Sequence, residues 1–440
     1  FFILYGKKQG LNGDCINLKK NQLKLNKMKT IKNIFLLSIL ISLSINSINA
    51  QSLDSLLHLV VENNTQLKSI ELEYQSILEK KNQVSQLPNP QLGVGIPALR
   101  PETRLGPQMV TVSASQMFPW FGTLKSKEEV VISMSKAKYE QIAIVKLDLF
   151  YQVKSAYYQL YFLTQKQAVI KDNIELFESL ESISLAKVES GQATLADVLR
   201  VQTKLQSLRQ QLLMIDNQKL VFESNINEIT KQPTSTKIEL PDSLELPFLN
   251  YDLISFRNKI ESNHPLIKQI NYQIEQSNNN ITVNSNTNKP TIGLGLDYSL
   301  VGERTDANPM NNGRDILVPK VMVSIPIYRK SYRAKIEEEN LIQQALTVKK
   351  ETITDKMINL LINYKAEYDN GLLEKSLNQN QSNTIRMAYE VLLSEYSSSG
   401  KGFEELLMVQ NQLLDFDLGL KKAELIANIA QANIERITKF

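Results

Sequence analysis

The sequence predicts a mainly helical fold that also contains a small amount of membrane β-structure, built from a duplicated unit of long helices and a β-hairpin. Three observations predict this fold. Long runs without glycine or proline suit extended helices, the chain repeats itself after about 200 residues, and short segments of alternating polarity lie between the helical runs.

Composition excludes several classes of protein. The 440 residues include 50 Lys and Arg against 46 Asp and Glu, and the formal charge of +4 is too weak to indicate nucleic acid as a partner. Two histidines and one cysteine are too few for a metal cage of His and Cys or for thiol chemistry. We therefore expect no catalytic residue, no metal and no cofactor.

The first 50 residues are predicted to lie outside the folded protein. From Met28, two lysines precede an apolar run over 34–45, which predicts a secretory signal peptide over 28–50 that is cleaved after Ala50. An uncleaved anchor is the alternative, although the apolar run is shorter than the roughly 20 residues of a membrane-spanning helix. Residues 1–27 match no export pattern and are interpreted as an upstream, non-native extension. Without both segments the chain has 42 basic and 45 acidic residues and no cysteine.

The remaining chain is an internal duplication. The stretch from Asn64 to the PQLGVGI segment at Pro90 aligns, without a gap and at an offset of 200, with the stretch from His264 to PTIGLGL at Pro290. Two further matches follow in the same order, at offsets of 207 and 208. Three prolines mark the boundary between the copies. The predicted segments are a first repeat over 51–232, a linker over 233–250 and a second repeat over 251–440.

Each repeat contains stretches that are too long for the helices of a compact domain. From Thr123 to Ser190 there are 68 residues without glycine or proline, enough for roughly 100 Å of helix. Apolar residues between Tyr139 and Leu160 follow the 3-4 spacing of a coiled-coil seam. Similar runs cover 192–232, 327–370, 372–399 and 403–440. An ordinary helical-bundle core gives the same stripes, so they do not by themselves indicate a function.

Between the helical runs, each repeat carries two alternating segments. TIGLGLDYSLV from Thr291 and PKVMVSIPIY from Pro319 place apolar residues on one face and small or polar residues on the other, and QLGVGIP and VTVSASQMF are their counterparts in the first repeat. The pattern predicts hairpins over about 90–119 and 290–327. A half-buried hairpin of a water-soluble protein gives the same alternation. The signal peptide, the long helices and the glycines on the polar face favour strands of a membrane barrel. Four strands cannot enclose a water-filled lumen, so several copies must share one barrel.

Two hairpins inserted into duplicated long helices behind a signal peptide resemble the TolC family of outer membrane efflux proteins. The likeness covers roughly 55–440, and the segments that carry it are SASQMFPWFGTLKSKEE, SGQATLADVLRVQTKL and SSGKGFEELLMVQNQLL. It implies a homotrimer in which four strands from each protomer form a twelve-stranded barrel on a periplasmic helical tunnel. The implied partners are outer membrane lipid, a periplasmic adaptor of the membrane fusion class and an inner membrane transporter, with the resistance nodulation division type favoured.

The resemblance also places particular residues. Four prolines would mark strand–helix junctions, because proline fixes φ and lacks a ladder donor; they are Pro90, Pro119, Pro290 and Pro326. Phe118, Trp120 and Phe121 would lie near the membrane interface, where aromatic residues are enriched. Simple packing of Trp120 against a helix is the alternative.

Two helix turns resemble the family's adaptor-docking tips. Gly191, Asp197, Val198 and Leu199 fit the first tip fully. At the second tip, Ser399 takes the glycine position, Gly400 is displaced, and Glu405 and Leu407 stand where the first tip has Asp197 and Leu199. Alternatively, Gly191 is a helix C-cap and Asp197 a first-turn residue that favours the helix dipole.

Glu390 and Glu395 precede the second tip, where acidic residues of the family narrow the tunnel. A trimer would arrange each as a ring that favours cations, and a solvated helix face is the alternative. The leading interpretation is an outer membrane efflux conduit for heavy metals or drugs. The alternatives are a type I secretion conduit and a secreted coiled-coil structural or adaptor protein of the periplasm.

Overall fold

The computed structural model describes residues 52–244, 246 and 251–440. The signal peptide and upstream extension predicted within 1–50 lie outside these residues, as does part of the predicted linker. In the first half the elements are α1 (Leu53–Asn63), α2 (Thr65–Val84), β1 (Gln91–Gly95), β2 (Glu102–Thr103), β3 (Gly106–Phe118), α3 (Thr123–Glu189) and α4 (Leu195–Thr230). In the second half they are α5 (Leu253–Asn263), α6 (Pro265–Thr287), β4 (Thr291–Val301), β5 (Ile316–Ser324), α7 (Lys330–Ser399) and α8 (Phe403–Thr438).

The second half repeats the helices of the first in order and in length. Helices α1 and α5 have 11 residues each, α2 and α6 have 20 and 23, α3 and α7 have 67 and 70, and α4 and α8 have 36 each. Both halves place their main strands between the second and third helices. The prediction of a duplicated unit of long helices and a β-hairpin is confirmed.

The two repeats begin their second helix with equivalent N-caps. Asn64 Oδ1 accepts hydrogen bonds from the backbone N–H of Gln66 at 2.9 Å and of Leu67 at 3.1 Å. In the second repeat, His264 Nδ1 accepts from the backbone N–H of Leu266 at 3.2 Å. Each side chain satisfies N–H groups that the helix leaves without an internal partner.

Helix α7 differs from the expectation of separate runs over 327–370 and 372–399, because it continues through Gly371. A Cβ at this position would lie 3.0 Å from the backbone nitrogen of Ala427 and 3.1 Å from the carbonyl oxygen of Ala423 in α8. Packing between the two helices therefore stabilises a continuous α7, and the glycine allows their close approach rather than ending a helix.

One antiparallel sheet joins the hairpins of both repeats. Its strand order is β1-β3-β4-β5, and β2 pairs only with the start of β3. Along the central β3–β4 ladder, Val112 lies opposite Tyr298 on one face and Ser113 lies opposite Asp297 on the other. Since β3 belongs to the first repeat and β4 to the second, the pairing of these two strands joins the repeats in one sheet.

The helical core is divided into clusters along the helices. The largest contains side chains from all four long helices close to their turns, including the fully or almost fully buried Phe177, Leu205, Tyr396 and Leu406. No described helix contains an 18-residue stretch apolar enough to cross a bilayer.

Candidate functional site

The sheet has two chemically different faces. On one, apolar side chains remain exposed, with 79% exposure at Leu92, 70% at Val94 and 71% at Val321. On the other, the Thr111 and Ser299 hydroxyl oxygens lie 2.8 Å apart in a hydrogen bond, and Lys320 forms an ion pair with Asp297. A continuous exposed apolar surface of this kind indicates contact with an apolar phase or with another protein surface.

Both outer strands of the sheet are open. Within the described residues, β1 pairs only with β3 and β5 only with β4, so the second edge of each outer strand has no partner. Open edges expose backbone N–H and C=O groups that pair readily with another strand. The protomer thus presents two pairing edges beside its apolar face.

The four predicted junction prolines lie at one end of the sheet. Pro90 precedes β1, Pro119 follows β3, Pro290 precedes β4, and Pro326 comes shortly after β5. Their common position follows from the register, since Phe118 pairs with Ile292 and Ile292 with Val323. We call this end, where the sheet meets α3, α6 and α7, the sheet–helix junction.

Aromatic residues lie at this junction. Lys289 Nζ stands 5.6 Å from the ring centroid of Trp120, and the Trp120 and Phe121 rings meet edge to face at 6.1 Å. Phe121 is 84% exposed, while Trp120 is half-buried. Trp120 thus packs against a neighbouring lysine, and Phe121 is available to an external surface.

The first tip joins α3 to α4. Gly191 has a φ of 71°, and no atom would come within 4 Å of a Cβ at this position, so backbone conformation alone explains the glycine. The Asp197 carboxylate accepts a hydrogen bond from the Thr194 N–H at 3.2 Å, which makes it part of the helix cap. Val198 is buried, whereas Leu199 is 54% exposed.

The second tip corrects the expected position of its glycine. Ser399 is the last residue of α7, and Gly400, with a φ of 69°, takes the left-handed position that Gly191 has in the first tip. The shift arises because the turn between Gly400 and the start of α8 is one residue shorter than the turn between Gly191 and the start of α4. Glu405 is exposed and Leu407 half-buried in the first turns of α8.

The two tips pack against each other. Lys187 Nζ donates to Gln192 Oε1 at 2.8 Å and to the Ser398 carbonyl oxygen at 3.4 Å. Arg200 and Glu404 form an exposed ion pair at 2.6 Å. Beside them, a groove of about 510 Å³ runs between α4 and α8; it is lined by Leu199, Arg200, Thr203, Lys204, Ser207, Leu407 and Asn411. Most of these groove residues were not predicted, because the groove exists only where two distant helices meet.

Glu390 and Glu395 lie exposed near the end of α7. They share a surface depression with Met387, Val391, Ser394 and Ser398. In one protomer both carboxylates face solvent, which fits either a cation-favouring ring in a trimer or a solvated helix face. Within the part of the chain that the structure describes, no group of three or more His, Cys, Asp or Glu residues is placed to hold a metal ion.

A small sheet with an exposed apolar face, carried by helices of about 70 residues that end in paired tips, is the fold class predicted from the sequence. Residues 56–230 match the family described as outer membrane efflux protein. The match covers most of the first repeat and agrees with the resemblance to TolC-type proteins.

Solved structures show the same fold over both repeats. The outer-membrane channel OprN is 14% identical, with a TM-score of 0.72 over 88% of this chain and 89% of that one. The Campylobacter jejuni CmeC outer membrane channel is 13% identical, with a TM-score of 0.70 over 88% and 85%. The Neisseria gonorrhoeae MtrE outer membrane channel is 16% identical, with a TM-score of 0.69 over 88% of each chain. No curated protein matches the chain by sequence.

Proposed function

We propose that this chain is one protomer of a trimeric, passive efflux conduit that crosses the outer membrane and continues through the periplasm as a helical tunnel. The observation that carries this proposal is the sheet with an exposed apolar face and two open edges. In hydrocarbon, unpaired backbone groups are too costly to leave at a strand edge, so the edges must close. Strands from other copies close them, with lipid against the apolar face and water against the polar one.

Exposed apolar side chains on the long helices support assembly from several copies. On α4 and on α7, such side chains recur at multiples of seven residues, which is the spacing of a coiled-coil seam. They are Leu213 and Leu220 on α4, and Leu341, Val348 and Ile362 on α7, all between 48% and 62% exposed. Neighbouring protomers would bury these two stripes.

The tips suit docking to a periplasmic adaptor. Leu199 and Leu407 supply apolar surface in the groove between α4 and α8, and Arg200 and Lys204 supply charge beside it. An inner membrane transporter, of the resistance nodulation division type by resemblance, would drive export. No step of this function needs a catalytic residue or a cofactor. Heavy metals and drugs are the substrate classes that the FPWFGTL and VQNQLL segments favour, in that order.

The conduit is tested with protein extracted from membranes in detergent. We expect a trimer that resists sodium dodecyl sulfate and forms conducting pores in planar lipid bilayers. A monomer that is soluble without detergent and does not conduct would instead support the secreted coiled-coil alternative.

A variant of the groove extends the same experiment to the partner. Leu199→Asp places a charge in the apolar groove, so co-purification with the adaptor should be lost while pores still form. Val221→Asp is the control for a change in the helix itself, because Val221 is exposed on α4, distant from the tip and outside the stripe that neighbouring protomers would bury. Retained adaptor binding by the Leu199 variant would refute docking at this groove.

Glu390 and Glu395 are proposed to line the narrow end of the tunnel. Replacing both with alanine should lower the ratio of cation to anion permeability in planar bilayers severalfold, because the carboxylate rings would no longer concentrate cations. Glu351 and Glu374, exposed on the same helix, form the matched control pair. Equal selectivity of wild type and the double variant would show that these carboxylates are only a solvated face.

A further inference from the structure

A group of cationic side chains gathers at the sheet–helix junction. Five are exposed, namely Lys125, Lys289, Arg329, Lys330 and Arg333, and Lys127 beside them is half-buried. Within the described residues none of the six has a carboxylate partner. Farther along the helices, cations such as Lys154 and Arg436 are paired with acids. The junction therefore concentrates unneutralised positive charge.

Hydrogen bonds hold these cations at one level of the molecule. Asn284 Nδ2 donates to the Tyr332 carbonyl oxygen at 2.7 Å, which ties the end of α6 to the start of α7. Asn286 Nδ2 lies 3.3 Å from Ser126 Oγ, which ties α6 to the start of α3. The first turns of α3 and α7, and Lys289 just after the end of α6, consequently present their cations side by side.

Helix stability does not account for this charge. The first turns of α3 and α7 contain no acidic residue, and neither N-cap residue makes a side-chain capping bond. Cations near the start of a helix interact unfavourably with its dipole. They also repel one another when clustered, so a bound anion would lower their energy.

Exposed aromatic and aliphatic side chains separate the cations from the apolar sheet face. Phe121 is 84% exposed, Tyr328 is 88% exposed, and Ile327 is 78% exposed. Moving from the sheet towards the helices, the surface is first apolar, then aromatic, then cationic. A bilayer leaflet has the matching order of acyl chains, interface and phosphate groups.

We propose that the sheet–helix junction binds the headgroups of anionic phospholipids in the leaflet nearest the helices. The inference rests on the proposed placement of the sheet in the outer membrane. Lysine and arginine donate charge-assisted hydrogen bonds to phosphate oxygens, while Phe121 and Tyr328 lie among the upper parts of the acyl chains. Lys289 directly precedes Pro290, and Arg329 follows Pro326 by three residues, where the chain passes between strand and helix. Bound lipid would therefore stabilise the ends of β4 and β5.

The test compares lipids on the intact protein reconstituted into vesicles of phosphatidylcholine, with or without phosphatidylglycerol. After mild detergent extraction, native mass spectrometry counts the lipids that stay bound. Wild type should retain phosphatidylglycerol in preference to phosphatidylcholine. In the triple variant Arg329→Gln, Lys330→Gln, Arg333→Gln, this preference should fall by about tenfold or more, since each cation near an anionic surface adds attraction.

The matched control removes the same charge elsewhere, in Lys68→Gln, Lys349→Gln, Lys356→Gln, three exposed cations away from the sheet. Equal losses in the test and control variants would overturn the proposal, as would equal retention of both lipids by wild type. If the test variant does not fold, salt titration of wild type decides, because a preference unaffected by salt contradicts the electrostatic site. Wild type that conducts without lipid preference refutes only this proposal; wild type that neither inserts nor conducts refutes the conduit and this inference with it.

Discussion

Replacing Glu435 with glutamine should lower the free energy of unfolding by about 3 kcal/mol, because it leaves a largely buried lysine without its counter-charge. Glu435 in α8 accepts hydrogen bonds from Lys154 of α3 and from Lys439, the latter at 2.7 Å. The Lys154 and Glu435 side chains are only 18% and 13% exposed. Burial raises the pKa of Glu435, but the bonds from the two lysines outweigh burial and hold this pKa below its usual value. The pair thus joins the two repeats as ions.

Two comparisons distinguish this pair from a general effect of lost charge. Glu178→Gln breaks the exposed pair with Arg209 and should cost less than about 1 kcal/mol. The double variant Lys154→Met, Glu435→Gln should recover much of the lost stability, because no buried charge then remains unpaired. Denaturant titration in detergent measures all three. A cost at Glu435 no larger than that at Glu178 would contradict the assignment.

Acidification should destabilise the protein through His264, by up to about 3 kcal/mol. Burial lowers the pKa of this imidazole from 6.5 to about 4. The folded state therefore favours the neutral ring, whereas the unfolded chain takes up a proton at the ordinary pKa. The full contribution is present above pH 6.5 and is lost as the pH falls from 6.5 towards 4.

The surroundings of His264 give the physical cause. The ring is 5% exposed and packs edge to face against Phe440, with centroids 5.1 Å apart. Its Nδ1 accepts the capping bond of α6, which a protonated Nδ1 could not accept. The charged groups nearby are already engaged: Asp148 pairs with Arg436, and Lys259 donates to the Thr438 carbonyl oxygen.

The first repeat supplies the variant that tests this effect. His264→Asn introduces the residue that caps α2 at the equivalent position, and asparagine does not titrate. We expect thermal midpoints of wild type and variant to diverge as the pH falls below 6.5, with the variant losing less stability. Parallel pH profiles would show that His264 does not carry the acid sensitivity.

Much of the fold is encoded in short-range patterns that can be read from the sequence. The absence of glycine and proline from Thr123 to Ser190 predicts a helix that the structure shows over Thr123–Glu189. Alternation of polarity predicts both faces of β4, because successive side chains of a strand point to opposite sides. Gly191 and the prolines near the strand ends likewise act through their own backbone conformations, so their positions mark a helix turn and the ends of strands.

Tertiary structure decided what depends on residues far apart in the chain. Packing against α8 makes α7 continuous through Gly371, and the length of the second turn moves the left-handed position from Ser399 to Gly400. Contacts between distant parts of the chain also produce three further features. These are the pairing of β3 with β4, the groove between α4 and α8, and the gathering of Lys289 with Arg329 at the sheet–helix junction. Sequence periodicity specifies which side of an element is apolar, whereas the partner that covers it, and the charges brought beside it, are set only when the elements pack.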